Sequence, residues 1–532
     1  MWFKISQFRV PLDLAEQELP EFIGEYFQLE KEQIKEVRIL RQSLDARHKV
    51  LAYIYTIIFE ISVSEAEIKH LLEKEPNLVV YQPAGSTVCR KAVMKPKQRP
   101  IIVGAGPAGL FAALCLAEAG FRPLIIERGD GLASRIETVN HFWRTGKLDL
   151  ESNIQYGMGG AGTFSDGKLT TRIKDPRVAE ILDQMIKAGA PPEIRYCQYP
   201  HVGTDLLRQV LIQLETKIVE CGGEFCYRQA LVGLKANKQS MTTIKLASGQ
   251  ELETELLLLA TGNSARDLYR LLVQEGFQLE SKPFAVGLRI EHPQELIDRA
   301  QYGKWAGHQR LGAAEYHLTY KHQPTKRGVY SFCMCPGGMV VGATSALEAV
   351  VTNGMSYHAR DSGVANAAIV VTVGQADFES SSPLAGINFQ EKLEQKAYQL
   401  GGGGYHAPAQ RVADFLRCQP STGFTKLLPS YRPGVTPANL WELLPEELAQ
   451  AIRDALGYFN QKLQGFSYVD AVLTGVETRT SAPVRILRDE KRCALGMEGV
   501  YPVGEGAGYA GGIVSSALDG WRTAEAIIEQ YF

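Results

Sequence analysis

The stretch Ile101-Ile-Val-Gly-Ala-Gly-Pro-Ala-Gly-Leu110 admits few folds. Ile101 to Val103 is a short apolar run of the kind that forms a buried strand, and Leu110 to Ala119 continues as an apolar helix rich in Ala and Leu. Between them Gly104, Gly106 and Gly109 form G-x-G-x-x-G, with Ala105, Pro107 and Ala108 filling the turn. Each glycine answers a separate need. Gly104 permits a tight strand-to-helix turn, Gly106 lets the backbone approach a pyrophosphate, and Gly109 lets helix and strand pack closely. The free N–H groups at the helix start favour a phosphate. Phe121 to Ile126 reads as a second strand that ends in Glu127, eighteen positions past Gly109, with Arg128 next. An acidic residue there accepts hydrogen bonds from a ribose 2′-OH. The implied ribose is unphosphorylated, which fits FAD or NAD better than NADP. The motif alone does not choose between those two.

Other stretches bear on the choice. Gly104 to Leu110 followed by Ile126-Glu-Arg-Gly129 resembles the N-terminal signature of FAD enzymes of the glutathione-reductase type. Leu256-Leu-Leu-Leu-Ala-Thr-Gly262 resembles their apolar strand ending in Ala-Thr-Gly, which implies that Ala260, Thr261 and Gly262 pass near the cofactor. Gly499-Val-Tyr-Pro-Val-Gly-Glu-Gly-Ala-Gly508 resembles their last FAD motif, with Glu505 after Gly504 where Asp is more common. The resemblance implies that this acid binds the ribityl chain or the ribose region beside the pyrophosphate. Gly511, Gly512 and Ile513 then open a helix whose amides are implied to face the O2 side of the flavin. Nearly the whole chain is similar to a bacterial family of FAD-dependent dehydrogenases with an N-terminal α/β extension. The carrying segments are 43–47, 157–170, 200–205, 331–338, 353–356 and 477–485. This resemblance implies FAD and redox chemistry and names no substrate. By the same resemblance Gly160, Gly162, Thr163 and Ser165 lie in a loop against the isoalloxazine ring and the pyrophosphate. Lys168 is then a cation able to stabilise the reduced flavin; the alternative is a solvated loop lysine.

The fold class expected is α/β: a discontinuous Rossmann-like FAD-binding domain, an inserted mixed β-sheet substrate domain and a small N-terminal ferredoxin-like unit. Residues 1–81 read as β-α-β-β-α-β. Strands fall near Phe3–Val10, Val37–Leu40, Val50–Ile61 and Leu78–Tyr81, with helices near Leu14–Tyr26 and Ser64–Glu73. Residues 82–98 read as a linker, 99–275 as the first part of the FAD domain, 276–480 as the inserted domain and 481–532 as the C-terminal part. A chain of 532 residues has room for such a set.

Composition removes several classes. Hydrophobic residues at 45% and charged residues at 22% exclude disorder, collagen and a small disulfide scaffold. Lys and Arg number 57 against 59 Asp and Glu, so no global charge draws the chain to nucleic acid or an anionic membrane. Nine scattered cysteines predict a reducing compartment, and without paired CxxC motifs no metal site is expected. The N-terminus lacks a signal-peptide pattern and no apolar run is long enough to span a bilayer, so the cytoplasm is the expected location.

Catalytic candidates are fewer. Lys168 is one. Arg479, within Glu477-Thr-Arg-Thr-Ser481, is the other, suited to hold an anionic or carbonyl-bearing small molecule, with Arg485 beside it. His201, Tyr357, His358 and Arg360 are weaker choices for proton transfer. Cys333-Met-Cys335 is expected to pack in the core, the alternative being a dithiol beside the flavin. Only one dinucleotide motif has full context, so NAD(P)H would bind transiently over the flavin. The function expected is an FAD-dependent oxidoreductase passing a hydride between substrate and flavin N5. The alternatives are a flavin-containing RNA-binding or RNA-modifying protein, motivated by the cluster Arg38, Arg41, Arg47 and Lys49, and a flavin-bound sensor without turnover.

Overall fold

The computed structural model describes residues 1–46, 50–82, 94–236 and 242–531. Its central sheet has five parallel strands in the order Val500–Pro502, Leu257–Leu259, Ile101–Val103, Leu124–Ile126 and Glu224–Cys226. Apart from the edge strand Glu224–Cys226, these strands are short and apolar without alternation because both faces are covered. Ile102, Ile125 and Leu258 point to the helices Pro107–Glu118, Thr204–Glu220 and Ile513–Ile528. Ile101, Ile126, Leu257 and Leu259 point the other way, to the antiparallel ribbon Leu231–Ala236, Thr242–Leu246 and Glu251–Thr254 and the helix Arg266–Gln274. Gly109 shows why the motif is glycine-built: a Cβ there would lie 1.9 Å from the Gly104 carbonyl oxygen.

A second sheet has seven strands, in the order Thr319–Lys321, Gly328–Cys335, Val364–Val373, Phe284–Pro293, Val472–Glu477, Ala407–Arg411 and Val435–Pro437. All neighbours are antiparallel except the last pair. Its core packs against the helices Ala385–Leu400 and Glu446–Lys462. The chain passes between the two sheets through a ribbon in which Leu279–Ser281 pairs antiparallel with Val484–Ile486.

The N-terminal unit runs Trp2–Pro11, Leu19–Phe27, Ile34–Asp45, Ala52–Ile61, Glu65–Lys74 and Leu78–Val80, as strand, helix, strand, strand, helix, strand. Its sheet is antiparallel, with the strands in spatial order second, third, first, fourth, the split arrangement expected. The first helix starts at Leu19 rather than Leu14. A 3₁₀ turn at Glu16–Glu18 precedes it, and Pro20 suits the first turn of a helix, where no N–H is needed. Ser64 caps the second helix through a reciprocal pair with Glu67. The unit is docked on the rest of the chain. The Gln42 N–H donates to the Tyr196 carbonyl at 2.7 Å, the Gln198 N–H returns to the Gln42 carbonyl at 2.9 Å, and the Tyr53 hydroxyl donates to the Arg310 carbonyl. In the expected basic cluster, Arg38 pairs with Glu36 at 2.6 Å and lies over the Trp2 ring, while Arg47 and Lys49 fall outside the described residues, as does most of the expected linker. Among the described residues no helix is long and apolar enough to cross a membrane, and no three His, Cys, Asp or Glu side chains gather to hold a metal.

Candidate active site

A cavity of about 400 Å³ runs along the C-terminal ends of the parallel strands. It opens where the chain, having added strands on one side of Ile101–Val103, returns to add Leu257–Leu259 on the other. Such a switch point leaves a crevice between the diverging loops.

One end is built mainly of backbone. Gly104, Gly106, Pro107, Ala108, Glu127 and Arg128 line it, with Gln229, Ala230 and Leu231 opposite. Glu127 organises three loops at once. One carboxylate oxygen accepts the Ala105 N–H at 2.8 Å, and the other accepts those of Gly129 and Gly157 at 2.9 and 2.8 Å. Its first oxygen keeps a lone pair for a ligand hydroxyl. The helix Pro107–Glu118 begins at Gly106 without a side-chain cap, so its first N–H groups are free. Across the cavity Gly160 faces Gly106. A Cβ on Gly106 would have no neighbour closer than 3.8 Å, whereas one on Gly160 would come within 3.0 Å of the Gly106 backbone.

The Gly160 loop owes its shape to Arg135, a fully buried guanidinium missed in the sequence reading. It donates to the carbonyls of Asn153, Ile154, Gly157 and Met158 and to the Thr163 hydroxyl, at 2.6–3.2 Å. Gly157, at φ +120°, leaves room for it: a Cβ would lie 2.3 Å from the arginine side chain. Arg135 belongs to the helix Leu132–Thr145, which precedes the loop, and nothing local in the sequence signals that it reaches forward to hold the later turn.

Of the expected cofactor positions, Gly104, Gly106, Pro107, Ala108, Glu127, Arg128, Gly160, Gly162, Ser165, Ala260, Thr261, Gly262, Glu505, Gly511, Gly512 and Ile513 line the cavity. Ala105, Gly109, Thr163 and Gly504 stand behind its wall. Ala105 gives its N–H to Glu127, Gly109 packs on Gly104, and the Thr163 hydroxyl donates to the Met158 carbonyl. The Gly504 N–H is held by Asp519 at 2.8 Å, a carboxylate that Arg488 and Arg492 neutralise. Glu505 accepts from the Asn263 amide at 2.7 Å, and burial pushes its carboxyl up to about 7. The helix Ile513–Ile528 starts beside it from Gly512, which provides no side-chain cap.

The far end is built of side chains. Lys168 pairs with Glu315 at 3.0 Å, Glu315 with Arg360 at 2.7 Å, and Arg360 with Asp166 at 2.6 Å. Two cations thus face two carboxylates. Arg479 lines the cavity, with its guanidinium fully engaged by Ser264 at 2.9 Å, Ser345 at 2.7 Å and the buried Glu394 at 3.2 Å. Glu394 also takes a bidentate pair from Arg266. Burial opposes its charge, but Arg266 and Arg479 hold its carboxyl down to about 2. Phe332, Cys333, Asn353 and Glu477 complete this end, and Glu477 pairs with the buried Arg289 at 2.7 Å. Cys335 is buried, as expected of the pair, but Cys333 is on the wall. The remaining candidates are elsewhere. His201 stacks on His358 with ring centroids 5.1 Å apart, and Arg485 pairs with Glu280; neither lines the cavity.

The glycine turn, the parallel sheet and the crevice at its strand ends define a dinucleotide-binding enzyme. The comparisons with known proteins are specific. Residues 283–480 match a family described as FAD-dependent protein, C-terminal domain-like, residues 102–169 match an NAD(P)-binding Rossmann-like domain, and residues 3–60 match a domain of unknown function. An uncharacterized protein of Clostridium beijerinckii is 45% identical over 533 residues, spanning 100% of this chain and 99% of that one. The chain belongs to the same family, a family of FAD-dependent flavoproteins; it is an enzyme and FAD is its cofactor. A probable indole-3-pyruvate monooxygenase of Arabidopsis thaliana, YUCCA1, is 42% identical over 61 residues, 10% of this chain and 15% of its own. Among solved structures, a flavoprotein/dehydrogenase from Cytophaga hutchinsonii shares 12% identity at a TM-score of 0.35, covering 82% of this chain and 79% of its own. A point mutant of halogenase PltM in complex with FAD shares 11% at 0.38, covering 81% and 70%.

Proposed function

We propose that the protein is a dehydrogenase or reductase of the glutathione-reductase-type flavoproteins, acting on a small-molecule substrate. The bound flavin supplies two-electron exchange at its N5. One observation carries this reading: a single cavity joins the glycine-lined end to a far end walled by buried ion pairs, a shape matched to an extended cofactor with one reactive tip. In this reading Glu127 and Arg128 hold the adenosine, Gly106 and Gly160 flank the pyrophosphate, and Glu505 meets the ribityl chain. Gly162, Ser165, Ala260, Thr261, Gly262, Gly511, Gly512 and Ile513 surround the ring. Below a pH of about 7 Glu505 is neutral and can donate a hydrogen bond as well as accept one. The uncapped helix start at Gly512 and the Lys168 ammonium favour negative charge at the ring.

Residues 99–275 and 481–532 then form the cofactor domain and 276–480 the substrate domain. Each cation at the far end is matched by a carboxylate, which supports a substrate recognised by neutral hydrogen bonds more than by net charge. NAD(P)H, if it is the donor, visits the open face transiently, since one dinucleotide motif serves FAD. The thiols of Cys197, Cys221, Cys226, Cys333, Cys335, Cys418 and Cys493, none of them in a disulfide, support a cytoplasmic location. The test is purification followed by anaerobic titration. Release of one FAD per chain on denaturation, and bleaching of the visible flavin band by NADH or NADPH with passage of the electrons to a dye, are expected. A colourless protein that no FAD reconstitutes contradicts the reading, as does a flavoprotein that inserts oxygen or halogen into its substrate.

A further inference from the structure

Cys333 occupies an unusual place. Strand Gly328–Cys335 pairs with Val364–Val373, with Phe332 opposite Ala368 and Cys335 opposite Asn366, so Cys333 and Met334 share one partner position in a β-bulge. Cys333 has φ +44°, in the left-handed region where glycine is the low-cost residue. A bulge re-aims side chains, and this one puts Cys333 on the cavity wall at its side-chain-built end. Met334 and Cys335 go into the core. The Cys335 sulfur stays beside it, 3.3 Å from the Cys333 carbonyl oxygen. The same carbonyl is fixed from behind by Arg289 at 2.9 Å, itself locked by Glu477 and Asn366. A Cβ on Gly354 would lie 2.3 Å from Arg289 and 2.9 Å from the Cys335 sulfur, so a glycine strand makes room for both.

We propose that Cys333 and Cys335 form a redox-active dithiol/disulfide pair that exchanges two electrons with the flavin. This rests on the reading of the cavity as the flavin site. In the oxidising direction two S–H bonds break and one S–S bond forms. The two electrons pass to the oxidised flavin, and the two protons pass to flavin and solvent. The reverse step returns both thiols to the form seen here. The surroundings suit the chemistry. The Cys335 thiol beside it, followed by the charges of Arg289 and Lys168, pushes the Cys333 thiol below its ordinary range despite burial, while the Cys335 thiol is pushed up. That division makes Cys333 the thiolate and Cys335 the proton-bearing partner. Lys168 and Glu477 are the other charged groups facing Cys333, and they oppose each other.

The test uses the holoprotein and two readouts. The aerobically isolated chain is denatured, alkylated with iodoacetamide and mapped by mass. Separately, it is titrated anaerobically with dithionite. The peptide holding both cysteines is expected to be lighter by two hydrogens and to resist alkylation until reduced. The wild type is expected to consume two equivalents of dithionite per flavin, and Cys333→Gly and Cys335→Ser one. Glycine suits φ +44°, so Cys333→Gly keeps the fold. Free, alkylated cysteines together with one equivalent per flavin in the wild type would overturn the pair and leave the flavin reading standing. A chain that retains no FAD on reconstitution would overturn the flavin reading and with it the electron exchange.

Discussion

The two ends of the cavity are built by different means. At the dinucleotide end the wall is backbone from three neighbouring turns, positioned by one carboxylate, Glu127, and by glycines that bring loops close. At the far end the wall is side chains from segments far apart in the chain, held by buried ion pairs such as Arg479 with Glu394 and Arg289 with Glu477. The first end tolerates no Cβ at some positions and leaves room at others. The second tolerates no loss of charge. Each therefore fails differently.

The largest effects belong to the glycines. Gly106→Val is expected to fold, because the added Cβ meets no protein atom within 3.8 Å, and yet to abolish FAD retention by occupying the pyrophosphate's space. Gly109→Ala is expected not to fold, because its Cβ would lie 1.9 Å from the Gly104 oxygen. Thermal melts and flavin content of the two variants separate these failures; equal behaviour would erase the distinction between ligand-facing and packing glycines.

At the far end, Glu394→Ala leaves Arg266 and Arg479 buried without their shared carboxylate. It is expected to lose about 3–5 kcal/mol in urea unfolding, the usual cost of breaking a buried pair from one side. The native carboxyl titrates near 2 and the unfolded one near 4.5, so the wild type keeps this stabilisation above pH 4.5 and loses it as pH falls toward 2. A loss below about 1 kcal/mol would mean the pair is exposed in solution.

Glu505 has the opposite sign. Its native carboxyl stays neutral up to about 7, whereas the unfolded one ionises near 4.5, so the native apoprotein binds the extra proton and its stability falls as pH rises between those values. The fall is about 3 kcal/mol, and Glu505→Gln is expected to flatten it. A smaller effect is expected at Glu127. Glu127→Ala orphans three backbone N–H groups, costing about 1–3 kcal/mol of stability besides weakening FAD. Unchanged stability with weakened FAD would make Glu127 a ligand contact only. The smallest is Arg479→Lys, which keeps the charge beside Glu394 but loses the fork that also reaches Ser264 and Ser345. Turnover is expected to fall with FAD retained.

The same contrast explains what the sequence could tell. The β-α-β turn at Ile101–Glu118, the ferredoxin-like order of the first 80 residues and the helix cap at Ser64 are local patterns. Periodicity, turn glycines and capping chemistry suffice to read them. The first helix begins at Leu19 and not Leu14 because Glu16–Glu18 closes a 3₁₀ turn before Pro20 enters the first α-turn, and helical spacing alone does not separate the two. The far end resists such reading. Glu394 meets Arg479 across 85 residues and Glu477 meets Arg289 across 188, and neither acid has a local pattern that names its partner. Arg135 and Asp519 belong to the same class: each fixes a cofactor-side loop from a helix, and no local pattern names the loop it reaches. Cys333 reaches the cavity only because a bulge turns it there, and a regular strand period predicts no bulge.

The most direct measurement is a crystal structure of the FAD-loaded protein. The adenosine is expected beside Glu127, the pyrophosphate between Gly106 and Gly160, and the ring between Ile513 and the Cys333–Glu477 wall. A ring turned out of the cavity, with Cys333 facing only protein, would contradict this placement.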